Sequence, residues 1–207
     1  MLTFYMTPGS CTTGIHILLE EVDELFAVEL VNLLEGDNRS DTYLALNPKG
    51  TIPMLKLEDG SVLTEFQAIA CWLAWQHARL KLIPSDALGA ARAIEMMSYA
   101  VGTIHLQAFA RIFTPEKFAA DANDIEAVKK EGRRRVAECF DVVSQLLDRN
   151  DGYVCSEFSV ADAALFYVEF WADRSDIPLP ERVRAHYNLM LTRPKVRQVL
   201  MEEGYRL

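Results

Sequence analysis

Cys11 stands where a short apolar stretch, residues 2–6, and its turn, Thr7-Pro8-Gly9-Ser10, give way to a helical pattern. A helix N-terminus carries about half a positive charge and unpaired amides, and both favour a thiolate. A cysteine so placed can be reactive; the plainer reading is a small turn residue. The tetrad is Cys11-Thr12-Thr13-Gly14, with no second cysteine where a dithiol redox site would have one. Disulfide chemistry at Cys11 would therefore be monothiol and would need an external resolving thiol. Cys71 and Cys139 fall within helical apolar patterns and read as core residues. No pair of the four cysteines has C-x-x-C spacing, so they read as reduced thiols of a cytoplasmic protein.

Three further places could bind or react. Ile52-Pro53 opens a strand, where proline cannot donate to a ladder and holds the preceding residue extended. Ile52 could pair its backbone with a peptide-like ligand as a short added strand, or Pro53 could simply mark a sheet edge. Thr64-Glu65-Phe66 marks a strand-to-helix junction, whose first amides suit a carboxylate; Thr64 could equally be a plain N-cap. His105 follows Ser98 and Gly102 at helical offsets of 7 and 3 on one long helix, and it reads as structural or as a site residue. His16, His77 and His186 show no spacing that suggests a metal site, and none is expected.

The elements that position these residues are legible from periodicity. Residues 2–6 and 26–31 read as strands, with a helix between them through Ile15, Leu18, Leu19 and Val22. One helical turn at 42–46 precedes the Asn47-Pro48-Lys49-Gly50 turn. A hairpin follows, with strands around 54–57 and 62–63 joined by Asp59-Gly60. A helix over 65–76 closes the order β-α-β-α-β-β-α, that of a thioredoxin-like α/β domain over residues 1–80. Residues 77–86 read as a linker, and 87–207 as an all-helical domain. Its helices are expected at 87–112, 124–148, 159–172, 180–191 and 195–203. Ser159-Val160-Ala161-Asp162 is a capping-box variant at the start of the third.

The chain has 207 residues, half of them hydrophobic and a quarter charged, which suits an ordinary globule of one or two domains. No apolar run is long enough to span a membrane. The N-terminus lacks the basic and apolar regions of a secretory signal. The net charge of −9 disfavours nucleic-acid binding. Residues 1–80 carry 11 acidic side chains against four basic ones, so an anion bound there must rely on local donors rather than on the overall field.

Together these pieces resemble a glutathione transferase over essentially the whole chain. The most specific stretches are N-P-K-G-T-I-P-M-L and D-G-S-V-L-T-E-F-Q-A-I-A-C-W-L-A, with F-S-V-A-D-A-A-L-F in the helical part. T-P-G-S-C with a downstream histidine resembles the bacterial beta class. The resemblance implies a cytoplasmic homodimer active in detoxification. Glutathione would be the co-substrate and a small hydrophobic electrophile the partner, held against the helical domain near Met6, Thr7, Leu106, Phe109 and Ile112. Pro53 would be the family's cis-proline and Ile52 the backbone partner of the cysteinyl unit. Glu65 and the amide of Phe66 would hold the γ-glutamyl end. Cys11 and His105 would flank the sulfur, and Ser98 and Thr103 would touch glutathione from the long helix. The alternatives are glutathione-dependent monothiol reduction at Cys11 and a non-catalytic scaffold of the same fold. Two departures from the pattern stand out: Phe66 replaces a small residue, and the loop 33–38 has no lysine, leaving Arg39 as the nearest cation.

Overall fold

A computed structural model describes residues 1–147 and 152–206. The chain forms two compact units, 1–83 with 192–207, and 84–191.

In the first unit, strand β1 (Leu2–Met6) alternates buried Leu2, Phe4 and Met6 with half-exposed residues. It is one of the two inner strands of a four-stranded sheet of order β2-β1-β3-β4. β2 (Phe26–Leu30) pairs with it in parallel, Phe4 opposite Val28. β3 (Met54–Lys56) pairs antiparallel, Phe4 opposite Leu55, and β4 (Val62–Thr64) closes the hairpin. Helices α1 (Thr12–Glu21), α2 (Asp41–Leu46) and α3 (Phe66–Gln76) complete the expected order.

Helix α1 departs from the amphipathic pattern, because Thr12 through Leu19 are all buried. The reason lies at the far end of the chain. α9 (Pro194–Glu202) packs along α1, so α1 has no solvent face over that length. The segment 192–207 therefore groups with the thioredoxin-like unit, not with the helical domain to which its sequence assigned it. Arg193 grips the Glu21 carboxylate with two bonds of 2.9 and 2.7 Å, and Lys195 reaches Glu20 and Asp23.

The second unit is helical. One continuous helix comprises α4 (Ala87–Ser98), a π-helical stretch over Tyr99–Phe109, and α5 (Ala110–Phe113). It is followed by α6 (Ile125–Leu147), α7 (Val160–Arg174) and α8 (Glu181–Thr192). The expected end of α6 at 148 lies outside the described residues. α7 is buried from Val160 to Ala172 and packs against α4 and the π stretch. Its capping box forms, with Asp162 accepting the Ser159 amide at 2.8 Å. Among the described residues no helix is long and apolar enough to cross a membrane.

Gly132 lets α6 approach α5 and the π stretch. A Cβ there would lie 2.9 Å from Arg111 Cβ, 2.9 Å from Ile112 Cγ1 and 3.1 Å from the Ala108 carbonyl. Two of those atoms belong to backbone or to the root of a side chain and cannot swing aside. Gly132→Ala is expected to destabilise by about 1–3 kcal/mol despite alanine's better helix propensity. A urea melt would read this as a lower midpoint at unchanged slope.

Candidate active site

The Cys11 thiol is buried and occupies the N-cap position of α1. Burial dominates its titration and pushes it up to about 12, with the Glu65 charge adding to the rise; its own backbone and the Ser10 hydroxyl pull the other way only in part. Burial thus opposes the thiolate that a helix N-terminus favours. An end-of-helix partial charge cannot outweigh the loss of hydration around a fully buried sulfur. Cys11 is a neutral S–H donor, and its Sγ lies 3.7 Å from the Ile52 carbonyl oxygen.

Ile52 precedes Pro53 through a cis peptide bond. It lies outside the β1–β3 ladder, which begins at Met54. Its N–H has no hydrogen-bond partner among the described residues. The thiol and this N–H come from positions 41 apart and converge at the ends of the two inner strands, so Pro53 does not mark a sheet edge.

The next loop brings charges to the same unit. Glu65 is exposed, and its backbone sits at φ 73°, a conformation L-residues rarely adopt. Lys49 Nζ donates to Glu65 Oε1 at 2.7 Å and to Thr64 Oγ1 at 2.9 Å. Glu65, not Thr64, is the N-cap residue of α3, so the N-cap reading of Thr64 is corrected. Phe66 begins the helix and is 3% exposed, so its side chain lies in the core and crowds no surface. Arg39 lies over the Lys49-Gly50 turn. A Cβ on Gly50, whose φ is +61°, would fall 2.7 Å from the Arg39 guanidinium. That exposed guanidinium has no ion-pair partner among the described residues.

In the second unit, His105 is part-buried among aromatic rings. Trp171 meets it edge-on at 4.8 Å and Tyr167 at 5.9 Å, with the Tyr167 hydroxyl 3.4 Å from Nδ1. Burial lowers its pKa to about 4, so the imidazole is neutral at pH 7. Thr103 diverges from it. Thr103 lines a cleft of about 220 Å³ with Tyr99, Arg135 and Cys139, on the α6 side of the helix, while His105 faces α7. In a stretch bonded i→i+5, residues three apart no longer stack, so the single face expected for Ser98, Gly102 and His105 does not form. Ser98 ends α4 and is exposed. Of the expected electrophile contacts, Leu106 is 54% exposed, whereas Met6 and Phe109 are core residues. Phe113, stacked on Phe109 and edge-on to Trp171, is exposed where Phe109 is not.

The other histidines do have partners, all distant in sequence. His16 meets Glu202 and Glu203, His77 meets Glu24, and His186 meets Asp162 and Glu169. His16, Glu20 and Glu202 bring one ligand-type atom each within 4.8 Å. Lys195 and Gln198 already occupy the Glu20 carboxylate there.

Residues 9–76 match the family model of the glutathione S-transferase N-terminal domain, and 126–200 match that of the C-terminal domain. Glutathione S-transferase GstA of Escherichia coli O157:H7 is 32% identical over 99% of both chains. The chain belongs to the glutathione S-transferase family. As a glutathione S-transferase family member it is a transferase, and its two units have that family's fold. A glutathione transferase homolog from Sulfitobacter, solved with bound glutathione, superposes with a TM-score of 0.89 at 29% identity over 99% of each chain. A bacterial beta class glutathione S-transferase from Sphingomonas chungbukensis gives 0.82 at 29% identity over 98% of each.

Proposed function

We propose that this transferase binds glutathione and conjugates its thiol to small hydrophobic electrophiles. The observation that carries the reading is the Cys11 thiol at the Ile52 carbonyl, beside an Ile52 N–H with no hydrogen-bond partner among the described residues. The cysteinyl unit of glutathione pairs with Ile52 N–H and C=O as an added strand beside Pro53. That pairing releases the Cys11 S–H from the carbonyl and offers it to the glutathione sulfur. A free thiol of pKa about 8.5 is roughly 3% ionised at pH 7, and lowering it by about two units makes it mostly thiolate. The Cys11 donor and the α1 amides supply that stabilisation, and the proton goes to solvent. The thiolate then forms a C–S bond with the electrophilic carbon, and the leaving group departs with its electron pair.

Both departures from the family pattern have a counterpart in this reading. Phe66 contributes its backbone toward the γ-glutamyl end, and Glu65 takes the α-ammonium. Arg39 supplies the cation for the glycyl carboxylate that the lysine-free loop lacks. The family resemblance assigns His105, a neutral imidazole, and Ser98 to glutathione as well; Thr103 opens toward α6 and receives no role. The family resemblance also supports a homodimer and a detoxifying role in the cytoplasm.

Calorimetric titration of the reduced protein is expected to show glutathione binding in the micromolar to low-millimolar range. Cys11→Ala is expected to keep conjugation at about a tenth of the original kcat/KM, the loss of one hydrogen bond to a charged sulfur. Complete loss in that variant would transfer the reading to monothiol redox chemistry. No heat at several millimolar glutathione would leave a scaffold.

A further inference from the structure

The loop that carries Cys11 is held from the other end of the chain. Glu203 follows the last turn of α9, and its side chain is buried. Its Oε2 accepts the Gly9 amide at 2.7 Å and the Thr13 hydroxyl at 2.7 Å. Its Oε1 lies 3.0 Å from His16 Nδ1, and Glu202 faces the other ring nitrogen at 3.3 Å. Gly9 and Thr13 stand two residues before and two after Cys11, so one carboxylate braces both sides of the thiol. Tyr205 closes the clamp. A Cβ on Gly9, whose φ is +71°, would fall 1.9 Å from the Tyr205 hydroxyl oxygen.

We infer that Glu203 is a positioning residue for the Cys11 site. Its carboxylate fixes the loop 9–13 and so fixes where the Cys11 S–H points. The argument is one of unmet donors. Thr13 is fully buried, and Gly9 is part-buried with Tyr205 packed where a side chain on Gly9 would stand. Without Glu203 both donors lose this acceptor, and at the buried Thr13 solvent does not replace it. The cheapest relief is for the loop to move outward, which frees the thiol. The zipper of Arg193, Lys195 and Gln198 along α1 sets the register that delivers Glu203 to this spot. The effect on catalysis rests on the proposed glutathione reading, whereas the effect on Cys11 itself does not.

The test is the rate of Cys11 alkylation by iodoacetamide in the folded, glutathione-free protein, resolved by peptide mass spectrometry. Cys139 is the internal reference, since both cysteines are 8% exposed and Cys139 lies in the other unit. Glu203→Ala is expected to speed Cys11 alkylation about tenfold relative to Cys139, the scale of one lost hydrogen bond in a local opening. Glu203→Gln keeps an acceptor for Gly9 and Thr13 and is expected to return the rate to within about threefold of the original. Thr13→Val removes one anchor only and serves if Glu203→Ala does not fold; it should raise the Cys11 rate selectively as well. Where glutathione turnover is measurable, Glu203→Ala should raise its KM more than that of the electrophile. Equal acceleration of Cys11 and Cys139 would mark a merely structural residue, and an unchanged Cys11 rate in both Glu203→Ala and Thr13→Val would remove the clamp. Either result overturns the inference. A wild-type protein that binds no glutathione would instead count against the functional reading and leave the alkylation test intact.

Discussion

Replacing His186 with leucine is expected to cost about 3–5 kcal/mol of stability, because it strands two buried carboxylates without their cation. For a chain of this size that is a fall in Tm of roughly 6–20 °C. His186 Nε2 lies 3.0 Å from Asp162 Oδ1, and Nδ1 lies 2.9 Å from Glu169; all three side chains are essentially inaccessible. Asp162 also accepts the Ser159 amide of the capping box and the Val154 amide. The histidine thus ties α8 to the start and the middle of α7, the central helix of its unit. Burial alone would push the imidazolium down, but Glu169 and Asp162 outweigh it and hold it up, to about 10.

The sign follows from linkage. A histidine whose folded pKa lies above its unfolded value of about 6.5 stabilises fully below pH 6.5. That stability drains away as pH rises from there through about 10. Glu169 is raised by burial despite its partner, and it acts in the same direction at lower pH. Urea melts at pH 6, 8 and 9.5 should show the wild type losing stability along the series while His186→Leu stays nearly flat. A variant within about 1 kcal/mol of wild type at pH 6 would mean that His186 is not held as a cation in the fold, and the charged triad would be wrong.

None of that triad could be read from spacing. His186 lies 24 residues from Asp162 and 17 from Glu169, across a helix–helix contact. The same limit governs what the sequence did and did not disclose elsewhere. The β-α-β-α-β-β-α order and the helix bounds were legible because they depend on local apolar periodicity and turn residues. The junctions at Cys11 and Glu65 were legible because strand-to-helix turns have short signatures, and Ile52-Pro53 because a proline at a strand start stands out. The choice between a reactive and a plain Cys11 stayed open in the sequence because a helix end is a local feature, whereas burial is a tertiary one. Docking of α9 on α1 was missed because its signal is a row of charge pairs more than 170 positions apart. The π-helical stretch left no mark, since Tyr99–Phe109 has ordinary helix-compatible residues, and it is this stretch that sends Thr103 and His105 to different neighbours.

Glu65→Ala is expected to raise the KM for glutathione about 10- to 100-fold with little change in kcat at saturation, the signature of lost uniform binding. The stability of the variant should hardly move. The Glu65–Lys49 pair is exposed on both sides, and such pairs contribute little. Glu65→Gly separates binding from folding more sharply. At φ 73° and ψ 128° an L-residue is strained, and glycine is not. Glu65→Gly should therefore lose glutathione affinity as Glu65→Ala does, while its Tm stays level or rises by a few degrees. A fold that becomes more stable as its ligand weakens is what a strained binding residue produces, because relief of the strain and loss of the contact come from the same substitution. Parallel kinetics and melts on the two variants check this. An unchanged KM in both would take Glu65 out of the glutathione site. A Tm that falls in Glu65→Gly would mean that the carboxylate, through Lys49, holds the turn rather than the ligand.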